Sequence, residues 1–281
     1  MRERQVKIGI MAPGSRIDPD LAQCATALCK SIYMDRVELS FHKQCFLSSG
    51  HFAGNDAMRA HAFLDIANDA SFDALWFARG GYGSCRIAEA VLKGLKPQAR
   101  KKRYLGYSDA GALLAGLYAN GFNTLAHGPM VSDLTRDGGE TAVKRALAFL
   151  VDRAPITLEK SVRRGEPTVA FNVSILSQII GTPLQPDLAG HVLMLEEVSE
   201  YLYRIDRSLF HITSNANIRK VAGIRLGRCN SIPANDPDFK QSDEQVVRHW
   251  CRASTIRYLG RADIGHDVGN KIVPFGRLPL G

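Results

Sequence analysis

The chain has 281 residues, 45% hydrophobic and 23% charged, and 36 Lys and Arg against 28 Asp and Glu give a formal net charge of +8. These fractions exclude a disordered or collagen-like chain. No apolar stretch approaches the ~18 residues of a membrane-spanning helix, and the apolar run in the opening MRERQVKIGIMAPGS is shorter than the roughly 7–15 residues of a secretory signal. A cytoplasmic protein with no membrane partner is therefore expected. Six cysteines, at 24, 29, 45, 85, 229 and 251, form no C-x-x-C pair. Reduced, mostly buried thiols are expected, not a disulfide framework or a zinc site. The pI near 9.3 points to acidic partners, and nucleic acid, a membrane surface or a small polycarboxylate would each satisfy it.

In chain order, 6–12 reads as a strand ending in the turn Pro13-Gly14-Ser15, and Asp18 or Asp20 then caps a helix through Leu21, Ala25, Leu28 and Cys29. Residues 37–41 alternate like a strand, 55–67 read as a helix, and 74–78 form a short, fully apolar strand. A helix over 85–92, a strand over 103–106 and a helix over 109–119 follow. Strands alternating with helices of ~10–15 residues predict a parallel, wound sheet. Near residue 150 the pattern changes, and the charged, turn-rich 153–155 and 163–167 read as a linker. Beyond it lie a helix over 173–180 stopped by Gly181-Thr182-Pro183, a strand over 191–195, a helix from Asp206 and a strand over 221–226. The loop 233–237 is expected at the surface. The expected fold class is α/β, with an N-terminal wound parallel-sheet domain over 1–150, a linker over 151–168 and a smaller C-terminal α/β domain over 169–281.

The clearest chemical signal is Gly106-Tyr107-Ser108-Asp109-Ala110, between a short strand and a helix. A serine at such a tight turn is thrust out with its Oγ exposed. The amide of the next residue, Asp109, then points toward an oxyanion formed on an attacked carbonyl, and the helix N-terminus adds partial positive charge there. The same residues also read as an ordinary turn with Asp109 as the helix cap, and the G-x-S-x-G elbow is met only as G-x-S-x-A. Directly after the strand 74–78 comes Arg79-Gly80-Gly81-Tyr82-Gly83. A loop in that place lies at the carboxyl edge of a parallel sheet, and paired glycines let backbone amides approach a ligand as an oxyanion donor or anion nest. A tight turn requiring positive φ accounts for the glycines equally well. The run is not a dinucleotide fingerprint, and no P-loop lysine follows it.

A serine nucleophile needs a base, and the base needs an orienting acid. Of eight histidines, His266 stands out behind Gly265 in a loop-like stretch after the apolar 256–259. His127, in His127-Gly128-Pro129, follows the helix after Ser108 and would line the same region. Either histidine also reads as structural. Glu196-Glu197 ends the apolar strand 192–195, where a carboxylate is costly unless paired. A strand reaching solvent gives the same pattern. Ser40-Phe41-His42-Lys43 fits S-x-x-K, but Ser40 ends a strand instead of opening a helix, and no K-T-G element is present.

Taken in order, Phe52-Ala53-Gly54-Asn55-Asp56 with Arg59, Arg79-Gly80-Gly81-Tyr82-Gly83, Gly106-Tyr107-Ser108-Asp109 and His127-Gly128-Pro129 resemble the LD-carboxypeptidases. The likeness continues through Ile180-Gly181-Thr182-Pro183, Leu195-Glu196-Glu197 with Glu200, Tyr203-Arg204-Ile205-Asp206-Arg207 and Gly265-His266, and so spans nearly the whole chain. These are the murein tetrapeptide carboxypeptidases, serine peptidases of bacterial cell-wall recycling. The resemblance implies Ser108 as nucleophile, His266 as general base and then acid, and Glu196, not Glu197, as the group orienting His266. It implies backbone amides of Asp109 and Gly81 as oxyanion donors. Arg79, Gly80, Tyr82, His127, Asn172 and Arg204 are candidate substrate-binding residues. It further implies two α/β domains with the site between them, a homodimer, and neither metal nor organic cofactor.

The implied partner is a muropeptide, cut between the L-centre of meso-diaminopimelate and the terminal D-alanine. Two departures lie near where substrate would be held. Ala170-Phe171-Asn172 stands in place of a Gly-Gly-Asn turn, and Leu202 replaces a proline before the aromatic–Arg pair. Relatives that share the triad and confer immunity to a peptide-nucleotide antibiotic supply a second expectation. A general α/β-hydrolase esterase, with the order Ser…acid…His, supplies a third. A nucleic-acid-binding protein fits the charge, but the chain shows no aromatic–basic platform for that role.

Overall fold

The short apolar runs of the first half become one parallel sheet in the computed structural model, which describes residues 4–163 and 165–278. Strands β1 (Val6–Met11), β2 (Val37–Phe41), β3 (Ala74–Phe77), β4 (Arg103–Gly106) and β5 (Leu125–His127) lie in the order 2-1-3-4-5. Helices α1 (Pro19–Tyr33), α2 (Asp56–Asn68), α3 (Ser84–Gly94), α4 (Gly111–Ala119) and α5 (Gly139–Asp152) cover its two faces. The period-2 pattern of a strand divides the core. Leu75 and Phe77 of β3 join the cluster under α2, α3 and α4, whereas Ala74 and Trp76 join the one under α1 and α5. Since β1 leads to α1 on one face and β3 to α3 on the other, the strand order reverses between them. Such a switch point leaves a crevice at the carboxyl edge, where ligands bind in open α/β sheets.

A second sheet holds β6 (Thr168–Asn172), β7 (Val192–Val198), β8 (Gly223–Asn230) and β9 (Tyr258–Arg261), parallel and in sequence order. Its helices are α6 (Val173–Ile179), α7 (Leu202–Ser214) and α8 (Asp243–Ser254). Helix α4, sequence GALLAGLYA, is apolar all round, as only a fully enclosed helix can be. It is covered on its second side by α6, and Leu113, Leu114 and Leu117 share one cluster with Val173, Leu176 and Ile179. The hydrophobic core therefore runs unbroken across the seam between the sheets.

The last strand, β10 (Val273–Pro274), leaves the second half and pairs antiparallel with β5, with Val273 opposite His127. Two residues on, Gly276 bridges Thr168 of β6. One segment thus splices the edges of both sheets, and the 169–281 stretch does not keep to a single sheet.

The α/β class and the parallel sheets agree with the sequence reading, to which the structure adds β5, α5, β6, α8, β9 and β10. Helix α7 starts at Leu202, a turn earlier than the expected Asp206. Strand β7 runs on through Glu196 and Glu197, which are buried inside it instead of meeting solvent. All six cysteines are free: Cys29, Cys45 and Cys251 are buried, Cys229 is partly buried, and Cys24 and Cys85 are exposed. Among the described residues no helix is long and apolar enough to cross a membrane.

The α2–β1 contact admits a direct test. A Cβ on Gly9 of β1 would stand 2.3 Å from Ile66 Cγ2 of α2. Gly9→Ala is expected to destabilise the protein by about 1–3 kcal/mol through overpacking. The urea midpoint should fall at an unchanged m-value, and a wild-type midpoint would contradict this packing.

Candidate active site

The carboxyl ends of β1, β3 and β4 bring three turns into contact: 13–15, 79–83 and 107–109. Ser15 N donates to Gly80 O (3.3 Å). A Cβ on Gly80 would lie 2.9 Å from Ser108 Oγ, and one on Gly81 would lie 2.6 Å from Ser15 Oγ, so neither position has room for a side chain. Gly81 also takes φ +105°, a conformation that favours glycine. Beneath the turns, the fully buried Arg59 of α2 donates from Nη1 to Pro13 O and to Gly83 O (2.9 Å). The ring of Phe52 covers its guanidinium at 4.6 Å.

Ser108 sits half-buried at φ +59°, in the left-handed region that costs a non-glycine residue about 1–3 kcal/mol. This conformation turns the chain sharply from β4 into the 3₁₀ turn Ser108–Ala110 and then α4. Asp109 does not cap the helix that follows it. Its buried carboxylate accepts from Ser84 N (2.9 Å), Ser84 Oγ (2.6 Å) and Gly83 N (3.2 Å), and so caps α3 and fastens the glycine turn to the serine turn. Burial pushes its pKa up, and these donors together with Arg59 only partly offset that. The Asp109 backbone N–H remains at the start of the 3₁₀ turn, among the donors that a helix leaves without internal partners.

The second sheet supplies the acid. Glu196, inside β7 with no exposed surface, accepts through Oε2 from His266 Nδ1 at 2.7 Å. Gly227 of β8 makes room for it, since a Cβ there would stand 3.0 Å from Glu196 Cβ. With Glu196 ionised, Nδ1 is the donor. Nε2 of His266 then has no hydrogen-bond partner among the described residues, the Ser108 hydroxyl included. Burial alone lowers the pKa of His266, but Glu196 outweighs it, with help from Glu197 and Asp133, and holds it above the ordinary histidine value. Glu197 takes a different part. It accepts from Ser174 N (2.7 Å), Val198 N (2.9 Å) and Asn172 Nδ2 (3.2 Å), at the start of α6.

Tyr107 joins the two halves of the site. Its ring lies 4.7 Å from that of His266 and 5.4 Å from that of His127, centroid to centroid. Its hydroxyl donates to Asp133 Oδ1 (2.7 Å), which is held in turn by Arg136 Nε (2.8 Å). His127 is fully enclosed and contacts Asn270 Oδ1 through Nε2 (3.3 Å), and burial pushes its pKa down to about 3. It is therefore neutral near pH 7 and serves as the donor in that bond.

Gly80 thus touches Ser108 and Asp109 ties the serine turn to the glycine turn, Glu196 pairs with His266, and Tyr107, the residue before Ser108, packs on both His266 and His127. Arg79 is exposed at the rim, with Arg16 O as its hydrogen-bond partner (3.3 Å). Tyr82 is exposed beside the rings of His51 and Phe52. Asn172 is buried with its Oδ1 unpartnered and its amide nitrogen on Glu197. Arg204 lies apart on the first turn of α7, against Tyr203 and Glu200, and none of these partners belongs to the Ser108–Glu196–His266 group. Tyr107, Asp133 and Asn270 were missed in the sequence. Tyr107 lay inside the G-Y-S-D run, but nothing in the run marks its ring as the packing partner of a histidine 159 positions later.

The sequence matches two family profiles, described as the LD-carboxypeptidase N-terminal domain over residues 8–128 and the LD-carboxypeptidase C-terminal domain over residues 167–278. It is 32% identical to a carboxypeptidase-like protein of Synechocystis sp., over 81% of this chain and 75% of that one. It is 24% identical to the murein tetrapeptide carboxypeptidase of Pseudomonas aeruginosa, over 98% of this chain and 92% of that one. Among solved structures, the muramoyltetrapeptide carboxypeptidase from Oxalobacter formigenes superposes with a TM-score of 0.79 at 23% identity, covering 95% of this chain and 93% of that one. The microcin C7 self-immunity protein MccF superposes with a TM-score of 0.78 at 16% identity, covering 97% and 92%. At such identities these two likenesses bear on the fold alone.

Replacing Glu196 tests the electrostatics directly. Glu196→Gln removes the charge that overrides burial, so His266 should titrate at lower pH than in the wild type when followed by NMR of its ring protons. The raised folded pKa also fixes the sign for stability. The contribution of His266 is complete below the unfolded value of about 6.5 and is lost as pH rises through the folded value. The stability gap between wild type and variant should therefore narrow on that rise. An unmoved titration would show that Glu196 does not set it.

Proposed function

This chain belongs to the LD-carboxypeptidase family and is a peptidase, and on that premise we propose that it releases the terminal D-alanine of murein tetrapeptides in peptidoglycan recycling. The bond cut is the LD bond after meso-diaminopimelate. The observation that carries this reading is the buried Glu196–His266 pair, whose remaining nitrogen Nε2 is unpartnered while the ring rests on Tyr107, next to the serine held at positive φ.

In the first step Ser108 Oγ attacks the scissile carbonyl and its proton passes to His266 Nε2. The imidazolium that forms is stabilised by Glu196 at 2.7 Å. Hydrogen bonds between nucleophile and base are often loose before substrate binds and tighten in the complex. The tetrahedral oxyanion is met by the Asp109 N–H and the Gly81 N–H. The Gly80–Gly81 peptide turns its carbonyl to Ser15 N, so in a trans peptide the Gly81 N–H faces the opposite way. Collapse of the intermediate breaks the C–N bond, and the leaving D-alanine amine takes the proton from His266. A water molecule, deprotonated by His266, then cleaves the acyl ester and restores Ser108. Each missing oxyanion donor in such a site costs about 10²–10³ in kcat.

A carboxypeptidase must also place a terminal carboxylate one residue beyond the scissile carbonyl. Arg79 adjoins Gly80, which touches Ser108, and its exposed guanidinium bonds only a backbone carbonyl among the described residues. It is well placed to form a charge-assisted pair with that carboxylate. The name of the Pseudomonas aeruginosa relative supports the muropeptide over a peptide-nucleotide as substrate.

Mass spectrometry of tetrapeptides ending in D- or L-alanine tests the reading. Wild type should release D-alanine only, and Ser108→Ala should lose about 10⁴-fold or more of that activity while staying folded. Release by Ser108→Ala at the wild-type rate, or equal release of L-alanine, would refute it. Arg79→Ala should raise KM by about 10–100-fold with a smaller effect on kcat, the loss expected for a hydrogen-bonded charge pair. An unchanged KM would move the carboxylate elsewhere.

A further inference from the structure

The stretch 262–272, which carries His266, has no regular secondary structure, so its backbone groups must find partners outside any ladder. From its own half of the molecule, Arg228 of β8 donates to Asp267 Oδ1 (2.8 Å) and Asp263 Oδ1 (2.6 Å), and Asn230 Oδ1 accepts from His266 N (2.9 Å). The same half also holds it through Arg228 N to Ile264 O (2.8 Å) and the Glu196–His266 pair, and a further set of attachments comes from the half that carries Ser108. Arg145 of α5 donates through a single nitrogen, Nη1, to Val268 O (2.9 Å) and Asn270 O (2.8 Å). His127 of β5 donates to Asn270 Oδ1, which also accepts from Gly265 N (3.3 Å). Beyond Asn270 the chain enters β10 at the edge of the first sheet.

We propose that Arg145 is a positioning residue for the base: it latches the 266–270 turn to the first sheet, so that His266 and Ser108 share one frame. The inference rests on the assignment of Ser108 and His266 made above. Arg145 is remote in sequence from every motif residue and touches neither substrate nor the reacting atoms. Its two acceptors lie two and four residues after His266, and the turn between them is closed by Asp267 Oδ1 accepting from Gly269 N (2.9 Å). A guanidinium nitrogen bridging both carbonyls fixes the spacing across that turn and with it the direction from which the imidazole leaves the backbone. Misplacement by about 1 Å of a group in such a constellation costs on the order of 10²-fold.

The test uses the full chain and two readouts: release of D-alanine from a tetrapeptide, and the rate at which a fluorophosphonate labels Ser108, which needs the base but no particular substrate. Arg145→Met keeps the length and removes the donors, whereas Arg145→Lys keeps a cation able to reach both carbonyls. Arg145→Met should slow labelling and kcat by about 10-fold or more with KM within about twofold, and Arg145→Lys should recover most of the loss. Labelling of Arg145→Met within about twofold of wild type overturns the proposal, as does an equal loss in both variants that follows their urea midpoints. If Arg145→Met does not fold, Arg145→Gln takes its place with a loss of about threefold or more expected, and a wild-type rate there overturns the proposal too. Wild type that is labelled at Ser108 yet releases no D-alanine would sink the substrate reading alone, and the latch would still be judged on labelling. Absence of Ser108 labelling in wild type would overturn both.

Discussion

A carboxylate placed in the interior of a β-strand with no exposed surface is tolerable only with a charge or strong donor against it. Glu196 is such a group, and His266 Nδ1 at 2.7 Å is the partner that makes it so. Removing one member of a buried pair costs about 3–5 kcal/mol because the other is left uncompensated. Much of the surrounding structure follows from meeting that requirement. Gly227 leaves room for Ile264 and the Glu196 Cβ, the irregular 262–272 stretch delivers the imidazole, and the Tyr107 ring closes over it from the first sheet. Neighbouring Glu197 faces the same penalty and is satisfied differently, by two backbone N–H groups and the Asn172 amide. Two adjacent buried carboxylates therefore serve different ends, one orienting a histidine and the other anchoring the start of α6.

The pairing has a consequence for how the two halves of the chain cohere. Ser108 and Glu196 are built on different sheets, so any sliding of one sheet against the other would separate them. Three features oppose such sliding. One hydrophobic cluster spans α4 and α6, β10 bonds to β5 while Gly276 bonds to β6, and the Tyr118 hydroxyl lies 2.6 Å from His191 Nε2 across the seam. His266 contacts both halves, pairing with Glu196 of the second sheet and packing on Tyr107 at the end of β4.

The alternation of short apolar runs with amphipathic stretches made the parallel sheet legible, because buried parallel strands are continuous apolar runs and cannot be mistaken for surface helices when only four to six residues long. The strand–turn–helix context singles out Ser108 and the cost of a carboxylate in an apolar strand singles out the Glu196–Glu197 pair, whereas the choice of Glu196 over Glu197 comes from the family resemblance. Other parts were hidden for physical reasons. Strand β10 is two residues long and contains Pro274, a residue that local patterning assigns to a turn, and only the edge position beside β5 lets it pair. Helix α8 carries a clear Ser242–Gln245 capping box that went unread. Asn270 and Arg145 act through contacts more than 120 residues apart in sequence, and no local propensity reports such a contact. A cap on the following helix, the alternative reading of the Asp109 side chain, is the local solution, and the chain instead places that carboxylate on the start of the neighbouring α3.

That choice explains why motifs distant from the chemistry accompany the serine turn. Ser108 holds a left-handed backbone conformation, and such strain persists only where the surroundings over-determine it. The restraint is supplied by a closed set of contacts. The Asp109 side chain takes three donors from Gly83 and Ser84, Gly80 packs directly on Ser108, and Ser15 N holds the Gly80 carbonyl. Below them Arg59 ties Pro13 to Gly83, with Asp56 and the Phe52 ring fixing the guanidinium. Every one of these links joins turns at the carboxyl ends of β1, β3 and β4 or the helix behind them. The 52–59 and 79–83 segments are thus the mechanical support of the serine turn, and a substitution at Arg59 would reach Ser108 through the turns that it ties together. Together these contacts keep one strained residue in place.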